Sequence, residues 1–143
     1  MKVQPLQGVI MDKSIDEMTE QDWREQLSEA QYKVLREAGT EPAFQGLYVN
    51  NHDEGIYNCA GCNTPLFKSD SKFESGSGWP SFDSPISGDV IKEITDKTHG
   101  MVRTEIVCAK CGGHIGHVFP DGPRATTGLR YCTNSAALQF AAE

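Results

Sequence analysis

The chain has 143 residues, with 13 Lys and Arg against 20 Asp and Glu, a formal net charge of −7 and 38% hydrophobic residues. That length suits one domain with a buried core, and the acidic balance excludes a binder of nucleic-acid backbones, which needs a basic face. No apolar run approaches the ~20 residues of a membrane span, and Met1–Gly8 lacks the apolar stretch of a signal peptide, so a cytoplasmic location with reduced thiols and no membrane partner is expected.

Residues 1–13 show no periodicity and read as an extended N-terminal arm ahead of a single domain over 14–143. Thr19 is placed to cap a helix over Glu20–Leu27. Ser28-Glu29-Ala30-Gln31 has the form of a capping box opening a second helix to Arg36 or Glu37, with Gly39 as its stop. Beyond Pro42 the pattern changes to short strands. Leu47–Val49 and Gly55–Cys59 are predicted to face each other across a turn built from Asn50, Asn51, His52 and Asp53. Val90–Ile94, Met101–Val107, Arg130–Ser135 and Ala137–Phe140 are further strands, with Val102, Thr104 and Ile106 alternating onto one face. No helical apolar period follows residue 45, so the expected class is α+β, predominantly β and mostly antiparallel.

Four of the five cysteines fall into two pairs, Cys59-Ala60-Gly61-Cys62 and Cys108-Ala109-Lys110-Cys111. A Cys-x-x-Cys turn presents two thiolates to one ion, and zinc favours four such soft donors at tetrahedral corners. Gly61 with Asn63, and Gly112 with Gly113, supply positions tolerant of positive φ beside each pair. A closed four-sulfur set leaves no coordination position open, which predicts structural zinc rather than catalytic zinc. The alternative for either pair alone is a redox motif. His114 follows Cys111 at the same spacing and is a rival ligand, although the cysteines already fill the set.

Cys132 is the sulfur left over. On a strand, Arg130, Cys132 and Asn134 share a face; the guanidinium favours the nucleophilic thiolate, and Asn134 offers a donor and an acceptor to a polar substrate. The plain alternative is an inert buried cysteine. His114 and His117 fall on opposite faces of a regular strand, but Gly116 between them permits a bend that gathers both rings for proton delivery to a leaving oxygen. Two ordinary core or surface histidines are the other reading. Asp121 either fixes a histidine or Arg130, or merely sits in the turn before Gly122-Pro123. Glycines 76 and 78 flank Ser77 in a tight loop that displays Trp79 and Phe82, as core or as a slot for a methyl or thioether group.

Taken in order, Cys59-x-x-Cys62, Gly78-Trp79-Pro80-Ser81-Phe82, Cys108-x-x-Cys111, the run from Gly116-His117-Val118-Phe119 to Pro123, and Arg130-Tyr131-Cys132-x-Asn134-Ser135 resemble the B-type methionine-R-sulfoxide reductases, from about Ser14 to Phe140. The resemblance implies two antiparallel sheets of the β-tent kind, short N-terminal helices and a four-cysteine structural zinc opposite the active site. It implies Cys132 as the nucleophile that attacks the sulfoxide sulfur and becomes a sulfenic acid. His114, His117 and Asn134 would position substrate and water and help protonate the departing oxygen. Trp79, with Phe82 and Phe119, would receive the substrate, and Arg130 and Asp121 would support it. Oxidised proteins or peptides are the implied substrates, with no organic cofactor, and a monomer is the default for a compact enzyme of this size. Ser77 stands where many members carry a resolving cysteine, and a hydroxyl cannot close a disulfide. Regeneration by an external thiol is therefore expected, from thioredoxin, glutathione or glutaredoxin. The competing readings are a zinc-stapled binding module on the same scaffold and a thiol–disulfide centre on one Cys-x-x-Cys pair. The second is opposed by the absence of a βαβ pattern.

Overall fold

The computed structural model describes residues 17–142, so the arm expected over 1–13 lies outside the described residues. Two helices come first, α1 (Glu20–Gln26) and α2 (Glu29–Glu37), each opened by a capping box. Thr19 and Asp22 exchange side-chain and backbone hydrogen bonds at the first, Ser28 and Gln31 at the second. The stop differs from expectation. Ala38 takes the left-handed cap, at φ 56°, and Gly39 donates its N–H to the Lys33 carbonyl at 2.9 Å. Glycine is needed there for closeness: a Cβ on Gly39 would lie 3.0 Å from that carbonyl.

The strands are β1 (Gly55–Cys59), β2 (Pro65–Lys68), β3 (Lys72–Phe73), β4 (Ser81–Phe82), β5 (Ile91–Asp96), β6 (Arg103–Cys108), β7 (His114–Phe119), β8 (Arg130–Thr133) and β9 (Leu138–Ala142). They form two antiparallel sheets, ordered β2-β1-β9 and β3-β4-β8-β7-β6-β5. The strand predicted over Leu47–Val49 is a turn instead. Its anchor is Tyr48, whose N–H reaches Ser135 Oγ at 3.1 Å and whose hydroxyl accepts from Phe140 N–H at 3.0 Å, while Leu47 points outward. Fastened by side chains, that segment has no need of a ladder. Val102 falls outside β6 and is exposed, so the expected alternation begins only at Thr104.

The two sheets meet through aromatic rings. Phe67 stacks on Phe82 at 4.4 Å between centroids, and Tyr57 meets Phe82 edge-on at 5.1 Å. Burying each such ring contributes about 1.5–3 kcal/mol. The period of two decides which residues of β4 and β8 enter this core: Phe82 pairs with Tyr131 on the inner face, Ser81 with Cys132 on the outer. Phe82, expected at the substrate slot, is therefore fully buried core. α2 packs against β7, and residues of β6–β8 border a cleft.

Candidate active site and metal centre

Both cysteine pairs sit where a strand ends and the chain turns back. Asn63 N–H bonds the Cys59 carbonyl and Gly112 N–H the Cys108 carbonyl, each at 2.8 Å, with Asn63 at φ 68° and Gly112 at φ 74°. These returns bring four sulfurs within 4.8 Å of one another, with Cys59–Cys111 at 3.7 Å and Cys62–Cys108 at 3.5 Å. No disulfide is formed. The crowded thiols contest one another's protons: hydrogen bonding to Cys108 pushes Cys59 and Cys111 far up and pulls Cys62 far down, and Cys111 draws Cys108 to about 7. Such a group can hold a metal ion, whose charge compensates four thiolates at once.

The helices seal this centre. Gln26 Nε2 donates to the Gly61 carbonyl at 2.7 Å and Arg36 Nη1 to the Cys111 carbonyl at 2.9 Å, the Arg36 guanidinium lying 4.7 Å over the Trp23 ring. Leu35 leaves no room for a side chain at Gly113, where a Cβ would meet its Cδ2 at 2.8 Å. His114, the rival ligand, turns instead to Glu105, with Nδ1 2.7 Å from Oε2.

At the other end of the β6–β7 hairpin, a cleft of about 190 Å³ is walled by Trp79, His117, Phe119, Arg103, Arg130, Cys132 and their neighbours. Register explains the grouping. His117 lies opposite Cys132 on β8 and Glu105 on β6, Phe119 opposite Arg130, and Asp96 opposite Arg103. Directly paired residues share a face, so the chemistry-bearing side chains of β5–β8 all emerge on one side.

His114 joins that face through a bulge. The β6–β7 register slips between Ile106 and Val107, which face Gly116 and His114. The extra residue, Ile115, turns His114 to the side of His117, with ring centroids 5.5 Å apart. The rings do gather as expected, but Gly116 serves another purpose: a Cβ there would collide with the Cys132 carbonyl. His114 lies behind His117 and is not part of the cleft wall; burial holds its basicity down against the opposing pull of Glu105.

Arg130 donates to Asp121 from Nε (2.9 Å) and Nη2 (3.3 Å) and lies 4.5 Å over the Phe119 ring. Asp121, held below the usual carboxylate range by that pairing, thus supports Arg130 rather than a histidine and stays outside the cleft. Arg130 favours the Cys132 thiolate as expected, but burial opposes it. Burial pushes its thiol up, and neither Arg130 nor the hydrogen bond from Ser77 outweighs this. Ser77 lines the cleft with Cys132 and shares a 2.8 Å hydroxyl contact with Ser75.

Asn134 lies just past β8 and reaches the cleft, but its amide is committed elsewhere: Nδ2 donates to the Ile115 carbonyl (3.1 Å) and Oδ1 accepts from Glu41 N–H (2.9 Å). Glu41 is a hub that the sequence did not announce. Its carbonyl accepts from Trp79 Nε1 at 2.9 Å, and its carboxylate accepts from the N–H groups of Ser135 (2.8 Å) and Ala136 (3.0 Å). Asp96, Arg103 and Glu105 were missed as well. The alternation of Arg103 and Glu105 along β6, on the face opposite Thr104 and Ile106, carried a signal.

A profile of the SelR domain matches residues 27–142. The chain belongs to the SelR-domain family. Similar proteins include the peptide methionine sulfoxide reductase MsrB of Leptospira interrogans serogroup Icterohaemorrhagiae serovar Lai, 56% identical over 125 residues that cover 87% of this chain and 95% of that one. The protein of the same name from Thiobacillus denitrificans is 57% identical over 122 residues (85% and 92% of the two chains). That from Agrobacterium fabrum is 58% identical over 119 residues, covering 83% and 87%.

Proposed function

We propose that this chain is a thiol-dependent methionine-R-sulfoxide reductase of the cytoplasm, a monomer with one domain over 14–143, acting on oxidised proteins or peptides. The observation that carries this reading is the placement of Cys132 opposite His117 and beside Arg130, in a cleft walled by Trp79, within a family whose relatives are named peptide methionine sulfoxide reductase MsrB. Trp79 and Phe119 supply the apolar surface for the substrate methyl group. Arg130, fixed by Asp121, sets the field around the sulfur.

The chemistry begins with Cys132 as thiolate, its formation opposed by burial and aided by Arg130 and Ser77. A bond forms from its sulfur to the sulfoxide sulfur. The sulfoxide oxygen takes two protons, one from the His117 imidazolium and one from solvent, and leaves as water. A water then attacks the Cys132 sulfur, the sulfur–sulfur bond breaks, and methionine departs with the release of one proton. The methionine sulfur has gained two electrons and Cys132 has lost two, ending as a sulfenic acid. His114 and Asn134 act at one remove, His114 behind the His117 ring and Asn134 through the backbone that it holds.

The four-cysteine centre is assigned to structural zinc. Zinc about 2.3 Å from four tetrahedral sulfurs sets them about 3.8 Å apart, close to the 3.5 and 3.7 Å of the two nearest pairs. With Ser77 facing Cys132 and the other four cysteines in the cage, oxidised Cys132 has no resolving thiol beside it among the described residues. Two external thiols, from glutathione, thioredoxin or glutaredoxin, would return it to the thiol with loss of water. Turnover of separated R and S epimers of a methionine-sulfoxide peptide with dithiothreitol tests the reading. Activity confined to the R epimer and lost in Cys132→Ser is expected; turnover that survives Cys132→Ser removes Cys132 as nucleophile.

A further inference from the structure

Asp96, the last residue of β5, receives four donors. Its Oδ1 accepts from Thr98 N–H (2.9 Å) and Thr98 Oγ1 (2.7 Å), and its Oδ2 from His117 Nε2 (2.8 Å) and Arg103 Nη2 (3.3 Å). The Thr98 amide first, then His117, hold this carboxyl well below the usual range, so it stands as a carboxylate. An ionised carboxylate only accepts hydrogen bonds. The hydrogen between Asp96 and His117 therefore belongs to Nε2, whether the ring is neutral or charged. Asp96 is mostly buried, as is His117.

Arg103 closes the arrangement. It lines the cleft, registers directly opposite Asp96, and its Nε is buried without a partner. Its Nη2 contacts the Asp96 carboxylate.

The neighbouring histidine has the opposite polarity. His114 engages Glu105 through Nδ1, leaving Nε2, whereas His117 engages Asp96 through Nε2, leaving Nδ1. The charged and titratable groups that face His117 are Asp96 from β5, Arg103 and Glu105 from β6, His114 on its own strand, and Arg130 and Cys132 from β8.

We propose that Asp96, held by Thr98 and Arg103, is a positioning residue that fixes one hydrogen of His117 on Nε2 and so leaves Nδ1 toward the cleft, where the imidazolium carries the second proton that it gives to the substrate oxygen. This rests on the reductase reading for its consequence, but the tautomer itself can be read without turnover. Histidine-¹⁵N spectra of zinc-loaded wild type, at a pH where the ring is neutral, should show His117 protonated on Nε2; the resonance is assigned by its loss in His117→Asn. Asp96→Asn, which can donate as well as accept, should mix or invert the tautomer and lower kcat by about tenfold or more. Asp96→Glu should restore the Nε2–H form and most of the rate. A neutral ring protonated on Nδ1 in the wild type would overturn the proposal, a measurement that does not depend on any variant folding. So would Asp96→Asn with tautomer and kcat both unchanged. If the wild type reduced neither epimer, the reductase reading would fall while the spectrum still decided the role of Asp96 in setting the ring.

Discussion

The two ends of the β6–β7 hairpin are built on opposite plans. At the turn end, Cys108 and Cys111 join Cys59 and Cys62 in a centre sealed by α1 and α2, with Trp23, Leu35 and Arg36 packed over it. At the open end, Cys132, His117, Arg130 and Trp79 line a cleft assembled from separate strands and loops. The first end gathers donors by local turns and shields them. The second relies on register across four strands, β5–β8, and leaves Cys132 on the cleft wall. One hairpin thus carries a staple and a reactive site without either compromising the other.

The sharpest separation of the two ends is metal removal. Structural zinc supplies folding free energy directly, so stripping it, verified by elemental analysis, should lower Tm by roughly 20 °C or more. Cys132→Ser should leave Tm within about 2 °C of wild type, as expected away from core and staple. An unchanged melting curve for metal-free protein would erase the distinction.

Phe82 probes the boundary between site and core. Because it is stacked on Phe67 and fully buried, Phe82→Ala should cost about 3–5 kcal/mol in urea unfolding, with kcat/KM per folded molecule little changed. A raised KM with intact stability would return Phe82 to the substrate slot.

The smallest expected effect leaves stability untouched. Burial raises the Cys132 thiol above its ordinary 9.0. Thiolate, the form that alkylates, grows as pH rises toward that value, so iodoacetamide labelling of Cys132, followed by peptide mass spectrometry, should accelerate through an apparent pKa above 9. A plateau already reached near neutrality would show that Arg130 and Ser77 outweigh burial.

What could be read from the sequence follows the same division. Cys-x-x-Cys spacing is local, as are the Thr19 cap of α1 and the capping box of α2, and each is found in the structure. Short strands were legible wherever alternation met a turn, but Leu47–Val49 failed because a tyrosine anchor imitates a strand in composition. In the cleft, Cys132, Arg130, Trp79 and His117 were identified by type and motif, and the structure gathers all four. Of their partners only Asp121, weighed for Arg130, was legible. Glu41 reaches Ser135 across most of the chain, and Asp96 meets His117 only through the β5–β6–β7 registers, which no local pattern encodes. The bulge at Ile115 likewise reverses the face of His114 by a single residue, an effect invisible to a regular period of two.

The most direct test of the central claim is a single turnover without reductant. Zinc-loaded protein mixed with excess R-sulfoxide peptide should release one methionine per chain and carry one added oxygen on Cys132, trapped by dimedone, with no intrachain disulfide. Methionine formed while Cys132 stays unmodified, or an oxidised product carrying a disulfide to one of the cage cysteines, would contradict the account.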